Sequence, residues 1–208
     1  MGSKGEQTRA AVVATTARLM NEQGWLLASL SQVMEATGLQ KGGLYRHFES
    51  RDTLLIAAFD HAVGEVRDRL LAAVAKVDTA PARLLAMLDA YVVEGAVDGA
   101  VDDAVPLPGG CPIMNGAIES DHAHPALHAR ALAAMGQWRG LVERIVHAGV
   151  RDGELRRGLN AAEVSAVFVG GLEGAVMLSH LQRSPQPLAA ATRHLRRYVV
   201  HELSQEPA

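Results

Sequence analysis

Apolar residues recur along this chain at intervals of three and four positions, the spacing of one face of an α-helix. Near the start, three such residues, Val12, Leu19 and Met20, share a face with Thr16. They predict a first helix over residues 7–23 that ends at Gly24. Alternating runs of β-branched or aromatic residues, which would indicate strands, are nearly absent. The pattern therefore predicts an all-α fold.

Capping signals predict a short second helix over residues 30–37. Ser29 can accept a hydrogen bond from the first turn, and Gln32, three residues later, can return one in a capping box. Gly38 follows the last helical position and supplies the left-handed conformation that a bulky residue resists. A short helix with a glycine turn after it is the first half of a helix-turn-helix.

A third helix over residues 41–48 and a fourth that Ser50 opens complete this region. Asp52 lies in the first turn of the fourth helix, which is predicted to continue toward Leu70. Three short helices with a tight glycine-containing turn between the second and third are typical of a helix-turn-helix that places the third helix in the DNA major groove.

Longer helices are predicted over residues 80–98, 126–151, 161–181 and 188–203. Residues 95–116 are rich in Gly, Asp and Pro, and they are predicted to form an irregular, mobile connection. Residues 164–181 carry one formal charge, at Glu173. Polar and small residues interrupt this segment, so it fits a helix buried in protein better than one in lipid, and no membrane association is expected.

Composition excludes several classes of protein. The chain has 208 residues, 49% of them hydrophobic, with 20 basic and 23 acidic side chains, a net charge of −3 and one cysteine. Disordered and collagen-like chains are excluded, and so are disulfide frameworks and cysteine-rich zinc clusters. A slightly acidic balance argues against indiscriminate coating of nucleic acid. With no leader-like opening segment, we expect a cytoplasmic protein.

Positive charge is concentrated on the third predicted helix. Between residues 40 and 51, three basic side chains face a single acidic one, Glu49. Gly42 and Gly43 would let the start of the helix approach base edges closely. Gln40 and Lys41 are predicted to reach a base edge or a phosphate, whereas Leu44 and Phe48 are assigned to the core. Three further side chains are predicted to hold backbone phosphates: Tyr45, His47 and Arg51.

The run from Leu30 to Leu54, LSQVMEATGLQKGGLYRHFESRDTL, closely resembles the N-terminal signature of the tetracycline-repressor (TetR) family. Gly38, the Lys41-Gly42 pair, the Leu44-Tyr45 pair and Phe48 match its pattern. Three positions depart from it, with Gln40 in place of a capping Ser or Thr, Met34 in place of Ala, and Arg51 in place of the commoner Lys.

The resemblance implies a helix-turn-helix domain over residues 1–52 and a helical effector-binding and dimerisation domain over residues 53–208. It implies a homodimeric transcriptional regulator, most simply a repressor, that a small molecule releases from a palindromic DNA operator. The predicted DNA-binding set is Ser29, Ser31, Gln40, Lys41, Gly42, Gly43, Tyr45, Arg46, His47 and Arg51.

A nearly uncharged helix over residues 161–181 must bury most of its circumference, and a second copy of the chain can cover one face. Ala166, Gly170 and Gly174 recur every four residues, which allows a partner helix to approach closely. The predicted interface set is Val167, Gly170, Gly171, Gly174 and Leu178. An ordinary helix of the intrachain core remains the alternative.

A small apolar or amphipathic effector is expected among the middle helices, where methionine and aromatic side chains can form an adaptable cavity. The predicted lining is Met87, Tyr91, Cys111, Met114, Ile118, Met135 and Trp138. The same residues are equally well explained as core. Because Cys111 lies in a glycine-rich segment, an accessible thiolate that senses oxidants or electrophiles is an alternative mode of regulation.

Other chemistry finds little support in the sequence. His124 and His128 are four residues apart, but Pro125 lies between them, and no metal site or cofactor is predicted. The chain has no phosphate-binding glycine loop and no nucleophile elbow, so an enzyme is not expected. A helical interaction module that does not bind DNA is the remaining alternative.

Overall fold

A computed structural model of the chain describes residues 4–91 and 108–205. No strand forms among these residues, and Leu155 and Ser204 make an isolated antiparallel bridge. The prediction of an all-α fold is confirmed. The helices are α1 (Lys4–Gln23), α2 (Leu30–Thr37), α3 (Lys41–Tyr45), α4 (Arg51–Val74), α5 (Ala80–Tyr91), α6 (Pro112–Ser120), α7 (Pro125–Arg151), α8 (Ala161–Gln182) and α9 (Gln186–Arg197), the last followed by a π-helical turn, Tyr198–Leu203.

The described residues divide into two compact units, at the bonds between Glu65 and Val66 and between Ala133 and Ala134. The first unit contains α1, α2, α3, α6 and the first parts of α4 and α7. The second contains α5, α8, α9 and the remainder of α4 and α7. The domain boundary predicted between residues 52 and 53 lies in the first turn of α4.

The predicted capping box of α2 is present. The Gln32 amide donates to Ser29 Oγ at 3.3 Å, and the Ser29 amide donates to Gln32 Oε1 at 2.8 Å. Gly38 ends the helix at φ +68°, in the left-handed region. At the start of α4 the Thr53 amide donates to Ser50 Oγ at 3.1 Å, as expected of a capping serine. Two helix starts were therefore encoded locally.

An apolar core holds α1 to α4 together. Trp25 is fully buried and meets Phe59 edge to face, with ring centroids 5.1 Å apart. Leu44 and Phe48 are buried as predicted, although α3 itself ends at Tyr45, three residues earlier than expected. The amides of His47 and Phe48 still bond to the Leu44 carbonyl, which closes the turn toward α4.

Helix α6 corrects the predicted connection over residues 95–116, because residues 112–116 are helical. Pro112 starts the helix at a position where its missing amide hydrogen costs nothing. An Asn-Gly pair is typical of a turn, but Asn115 and Gly116 lie within α6. A Cβ on Gly116 would lie 2.5 Å from the Phe59 ring. Glycine is here a packing requirement of a helix. Residues 92–98 of the predicted fifth helix, and residues 95–107 of the connection, lie outside the described residues.

Gly109 is predicted to be the glycine least tolerant of substitution near α6. Its φ is +86°, and an added Cβ would lie 2.2 Å from the Asn21 carbonyl oxygen. Gly109→Ala should lower the free energy of unfolding by about 3 kcal/mol, measured by urea denaturation. Gly158→Ala is the matched control, because Gly158 also has a positive φ, +81°, but an added Cβ there meets open space. It should cost only about 1 kcal/mol, and equal losses would contradict the steric argument.

The second unit packs α8 against α9, and α5 against α9 and the π-helical turn. Its interior contains Tyr91 of α5, Phe168 and Leu172 of α8, and Leu195 of α9. By length and composition alone α8 is apolar enough to cross a bilayer, with a mean hydropathy of 1.5, but half of that stretch is buried inside the protein. One such helix does not indicate a membrane protein.

Candidate nucleic-acid interface

Helix α3 presents exposed polar side chains around an open helix start. Gln40, Lys41 and Arg46 are exposed, and Tyr45 is 41% exposed. A Cβ built on Gly42 meets nothing within 4 Å, and one on Gly43 meets only the Leu39 side chain, at 3.7 Å. These glycines therefore leave the helix surface free for a close approach by another molecule.

Gln40 is the N-cap residue of α3, but its side chain makes no capping hydrogen bond. This agrees with the poor capping ability of glutamine, which the departure from Ser or Thr implied. Two other members of the predicted set, Ser29 and His47, are less accessible to a ligand. Ser29 Oγ serves the α2 cap and lies 2.9 Å from Ser31 Oγ, and His47 is half-buried.

The Arg51 side chain, predicted to hold a DNA phosphate, bonds to the protein itself. Its Nη2 donates to the carbonyl oxygens of Trp25, Leu26 and Ala28, at 2.9–3.4 Å. The guanidinium thus holds the loop between α1 and α2, so this nitrogen is not available to a phosphate. We leave Arg51 out of the interface proposed below, and the positive charge beside α3 is that of Lys41 and Arg46.

Arg51→Ala should destabilise the fold by about 2 kcal/mol, because three part-buried carbonyls lose a charged donor. Arg46→Ala is the matched control and should change the free energy of unfolding by less than about 0.5 kcal/mol, since Arg46 is exposed. Urea denaturation followed by circular dichroism measures both. If Arg51→Ala left the free energy of unfolding unchanged, the loop would not depend on this side chain.

Arg9 is a basic residue that sequence reasoning did not assign to the interface. Its guanidinium carbon lies 5.0 Å from the centre of the Phe48 ring, within the range of a cation–π contact. Phe48 follows α3, so this contact places a third cation, after Lys41 and Arg46, in the region of α3. The pairing joins residues 39 positions apart in the chain, and local spacing carried no signal for it.

The predicted effector residues fall in both units. In the second unit, Met87, Tyr91 and Trp138 are buried and Met135 is half-buried. The Tyr91 and Trp138 rings stack with centroids 5.1 Å apart, and Tyr91 Oη donates to Glu173 Oε1 at 2.9 Å. The structure thus places the buried carboxylate of Glu173, which was not among the predicted lining residues, beside this aromatic pair.

The three predicted effector residues of the first unit differ from one another. Cys111 is buried at the N-cap of α6, so the accessible thiolate on which the redox alternative depended is absent. Met114 is half-buried. Ile118 is 69% exposed, which is not the environment of an enclosed cavity, and we leave it out of the proposed lining.

The predicted interface residues lie on the exposed side of α8. Val167 is 52% exposed and Leu178 is 40% exposed, and both Gly170 and Gly171 are exposed. A Cβ on Gly170 or Gly174 would meet nothing within 4 Å. Exposed Met177 and Leu181 extend the same stripe. The described part of the chain leaves this apolar stripe uncovered.

The histidines near α7 have structural contacts. His124 Nδ1 accepts a hydrogen bond from the Leu127 amide at 3.1 Å, and its Nε2 lies 3.7 Å from Asp52 Oδ1. Among the residues that the structure describes, no three His, Cys, Asp or Glu side chains are grouped so that they could hold a metal ion.

Comparison with known proteins agrees with this geometry. Residues 12–58 match the family model described as "Bacterial regulatory proteins, tetR family", and residues 80–195 match "Tetracyclin repressor-like, C-terminal domain". A TetR transcriptional regulator from Chloroflexus aurantiacus J-10-FL is 38% identical, with a TM-score of 0.88, over 97% of this chain and 98% of that one.

Two further relatives cover the chain. A TetR-family transcriptional regulator from Cytophaga hutchinsonii is 27% identical over 100% of both chains, with a TM-score of 0.88. An uncharacterized HTH-type transcriptional regulator from Mycobacterium tuberculosis is 26% identical over 95% of this chain and 96% of that protein. The chain therefore belongs to the TetR family of non-enzymatic, DNA-binding transcriptional regulators.

Proposed function

We propose that this regulator is a cytoplasmic homodimeric repressor whose α3 helices read the two halves of a palindromic operator. The observation that carries the proposal is the exposure of Gln40, Lys41, Tyr45 and Arg46 around the open surface at Gly42. A helix that enters the major groove needs a start without bulk and side chains that reach base edges and phosphates.

In this proposal Gln40 and Lys41 contact bases or phosphates, and Tyr45, Arg46 and Arg9 hold the DNA backbone. Phosphate contacts set the register of the protein on the duplex, whereas contacts to base edges set sequence preference. The overall charge of −3 limits non-specific binding, since only a local cluster of cations attracts the DNA.

Dimerisation through α8 is supported by its exposed apolar stripe. Glycine at positions 170, 171 and 174 would let two helices approach closely, with Val167, Met177 and Leu178 packing across the contact. A twofold axis places two α3 helices on successive turns of one face of the DNA, about 34 Å apart. Two half-site contacts, each weak alone, then combine in one tight complex with the operator.

We propose that a small apolar or amphipathic effector binds in the second unit beside Met87, Tyr91, Met135 and Trp138. Methionine and stacked aromatic rings can adapt to an apolar ligand, and the Glu173 carboxylate beside the Tyr91 hydroxyl can orient a polar group on it. An effector that binds more tightly to a conformation unable to bind DNA lowers operator affinity by population shift.

Selection of bound sequences from random duplex DNA by the purified full-length protein tests this function. The expected product is a palindrome whose half-site centres are about one helical turn apart. Recovery of no preferred sequence would contradict specific DNA reading, and recovery of an unpaired half-site would contradict the dimer. A library of amphipathic compounds can then be screened for release of the selected operator.

A further inference from the structure

The end of α1 is bonded to the segment that leads into α6. Asn21 is buried, and its Nδ2 donates to the carbonyl oxygens of Pro108 at 2.7 Å and Gly110 at 2.9 Å. Asn115 of α6 completes the group, because its Nδ2 donates to Asn21 Oδ1 at 3.2 Å and to the Gly109 carbonyl at 2.8 Å. Two asparagines thus connect two segments that are about 90 residues apart in the chain.

The opposite end of α6 is bonded to the loop between α1 and α2. Glu119 Oε2 accepts a hydrogen bond from the Leu26 amide at 3.0 Å. The carbonyl of the same residue, Leu26, accepts from Arg51 Nη2 at 2.9 Å. Gly24 makes room for the carboxylate, since a Cβ there would lie 3.2 Å from Glu119 Oε2. One peptide segment is therefore held from two sides, by α6 and by α4.

This loop determines where the DNA-binding helices begin. Ser29, the N-cap of α2, follows it directly. The apolar contacts beneath α2 and α3 are not directional and permit small displacements, whereas hydrogen bonds to loop amides and carbonyls fix distance and angle. A site that reads base edges must be held to within about 0.5 Å, so directional supports of this kind decide its precision.

We propose that Asn21, Asn115 and Glu119 are positioning residues for DNA binding, through which α6 holds α1 and the α1–α2 loop in the arrangement that presents α3. The DNA readout of this inference rests on the proposed function. In this inference none of the three side chains contacts DNA. Their role is exerted through the start of α2, and it is distinct from the core packing of the first unit.

The test compares Glu119→Ala with Glu119→Gln and Ser120→Ala in the full-length protein. Glu119→Ala leaves the Leu26 amide without its acceptor, while Glu119→Gln retains an amide oxygen in its place. Ser120 is buried one residue along α6, and its hydroxyl donates within the helix, to the Gly116 carbonyl. Ser120→Ala therefore removes a buried hydrogen bond of α6 without touching the loop.

With the selected operator, Glu119→Ala should lower affinity by at least about 10-fold, whereas Glu119→Gln and Ser120→Ala should stay within about threefold of the unaltered protein. All three should remain folded at the assay temperature, as measured by circular dichroism. Unchanged affinity of Glu119→Ala, or an equal loss in Ser120→Ala, would overturn the inference.

Hydrogen exchange provides a readout that needs no operator. Amides of the α1–α2 loop, α2 and α3 should exchange at least about 10-fold faster in Glu119→Ala, and at the unaltered rate in Ser120→Ala. Equal exchange rates in the two variants would overturn the positioning role, even if the selection experiment yields no operator. Failure of the unaltered protein to bind any selected DNA would instead contradict the proposed function.

Discussion

Lys41→Ala should lower affinity for the selected operator by about 100-fold. Lys41 is the first residue of α3 and is exposed. In the proposed complex the substitution removes one base or phosphate contact from each protomer. Each such contact contributes about 1–3 kcal/mol, and a dimer loses two of them at once. If Lys41 binds phosphate, the slope of log affinity against log salt concentration should also fall by about 2. Fluorescence anisotropy over a range of salt concentrations measures both quantities.

Lys76→Ala is the control, because it removes the same charge from an exposed position in the turn after α4. It should leave the affinity and the salt slope unchanged. The free energy of unfolding should be unaffected in both variants, since neither lysine is buried. Equal affinity of Lys41→Ala and the unaltered protein would exclude α3 as the recognition helix.

Gly170→Glu should convert the protein into a folded monomer and lower operator affinity by at least about 100-fold. The substitution fits the isolated chain, because a Cβ at this position meets nothing within 4 Å. In the proposed dimer it would place a carboxylate in the apolar contact between two α8 helices, where burial of an unpaired charge costs several kcal/mol. Light scattering after size-exclusion chromatography gives the mass of the particle.

Gly136→Glu is the matched control on α7, since Gly136 is also exposed and a Cβ there also meets open space. This variant should remain dimeric and bind the operator normally. Because both glycines lie within helices, replacing either should not weaken the fold of the single chain. A dimeric Gly170→Glu would place the interface elsewhere than on the α8 stripe.

The helix starts, and the buried and exposed sides of α3, were the parts of this molecule most accessible from sequence. Ser29, Gln32 and Gly38 specify α2 through bonds that span three or four residues, and the structure contains them. The burial of Leu44 and Phe48 followed from helical spacing alone. Exposure of Lys41 and Tyr45 followed in turn, because the opposite side of α3 was committed to the core.

The sequence carried no signal for contacts between residues that are far apart in the chain. Asn115 and Gly116 fall in the stretch predicted to be an irregular connection, but they lie within α6, where Gly116 packs too close to the Phe59 ring for a Cβ. Arg51 was assigned to phosphate because of its charge, whereas its guanidinium bonds to a loop more than 20 residues away. Glu119 gave no signal at all, since its partner is the amide of Leu26. The type of a residue determines which contacts it can make, such as a hydrogen bond or close packing, but it does not determine which distant residue is the partner.

The sequence by itself determined the helical class, the helix-turn-helix and the exposure of Lys41 and Tyr45 on α3, because these depend on hydrogen bonds and periodicities within a few residues. Only the tertiary structure decided that α6 belongs with the first unit, that Arg51 and Glu119 hold the α1–α2 loop from two sides, and that Arg9 stacks on Phe48. Those contacts join segments tens of residues apart, and packing of the whole unit selects them from among many partners that the local chemistry permits equally.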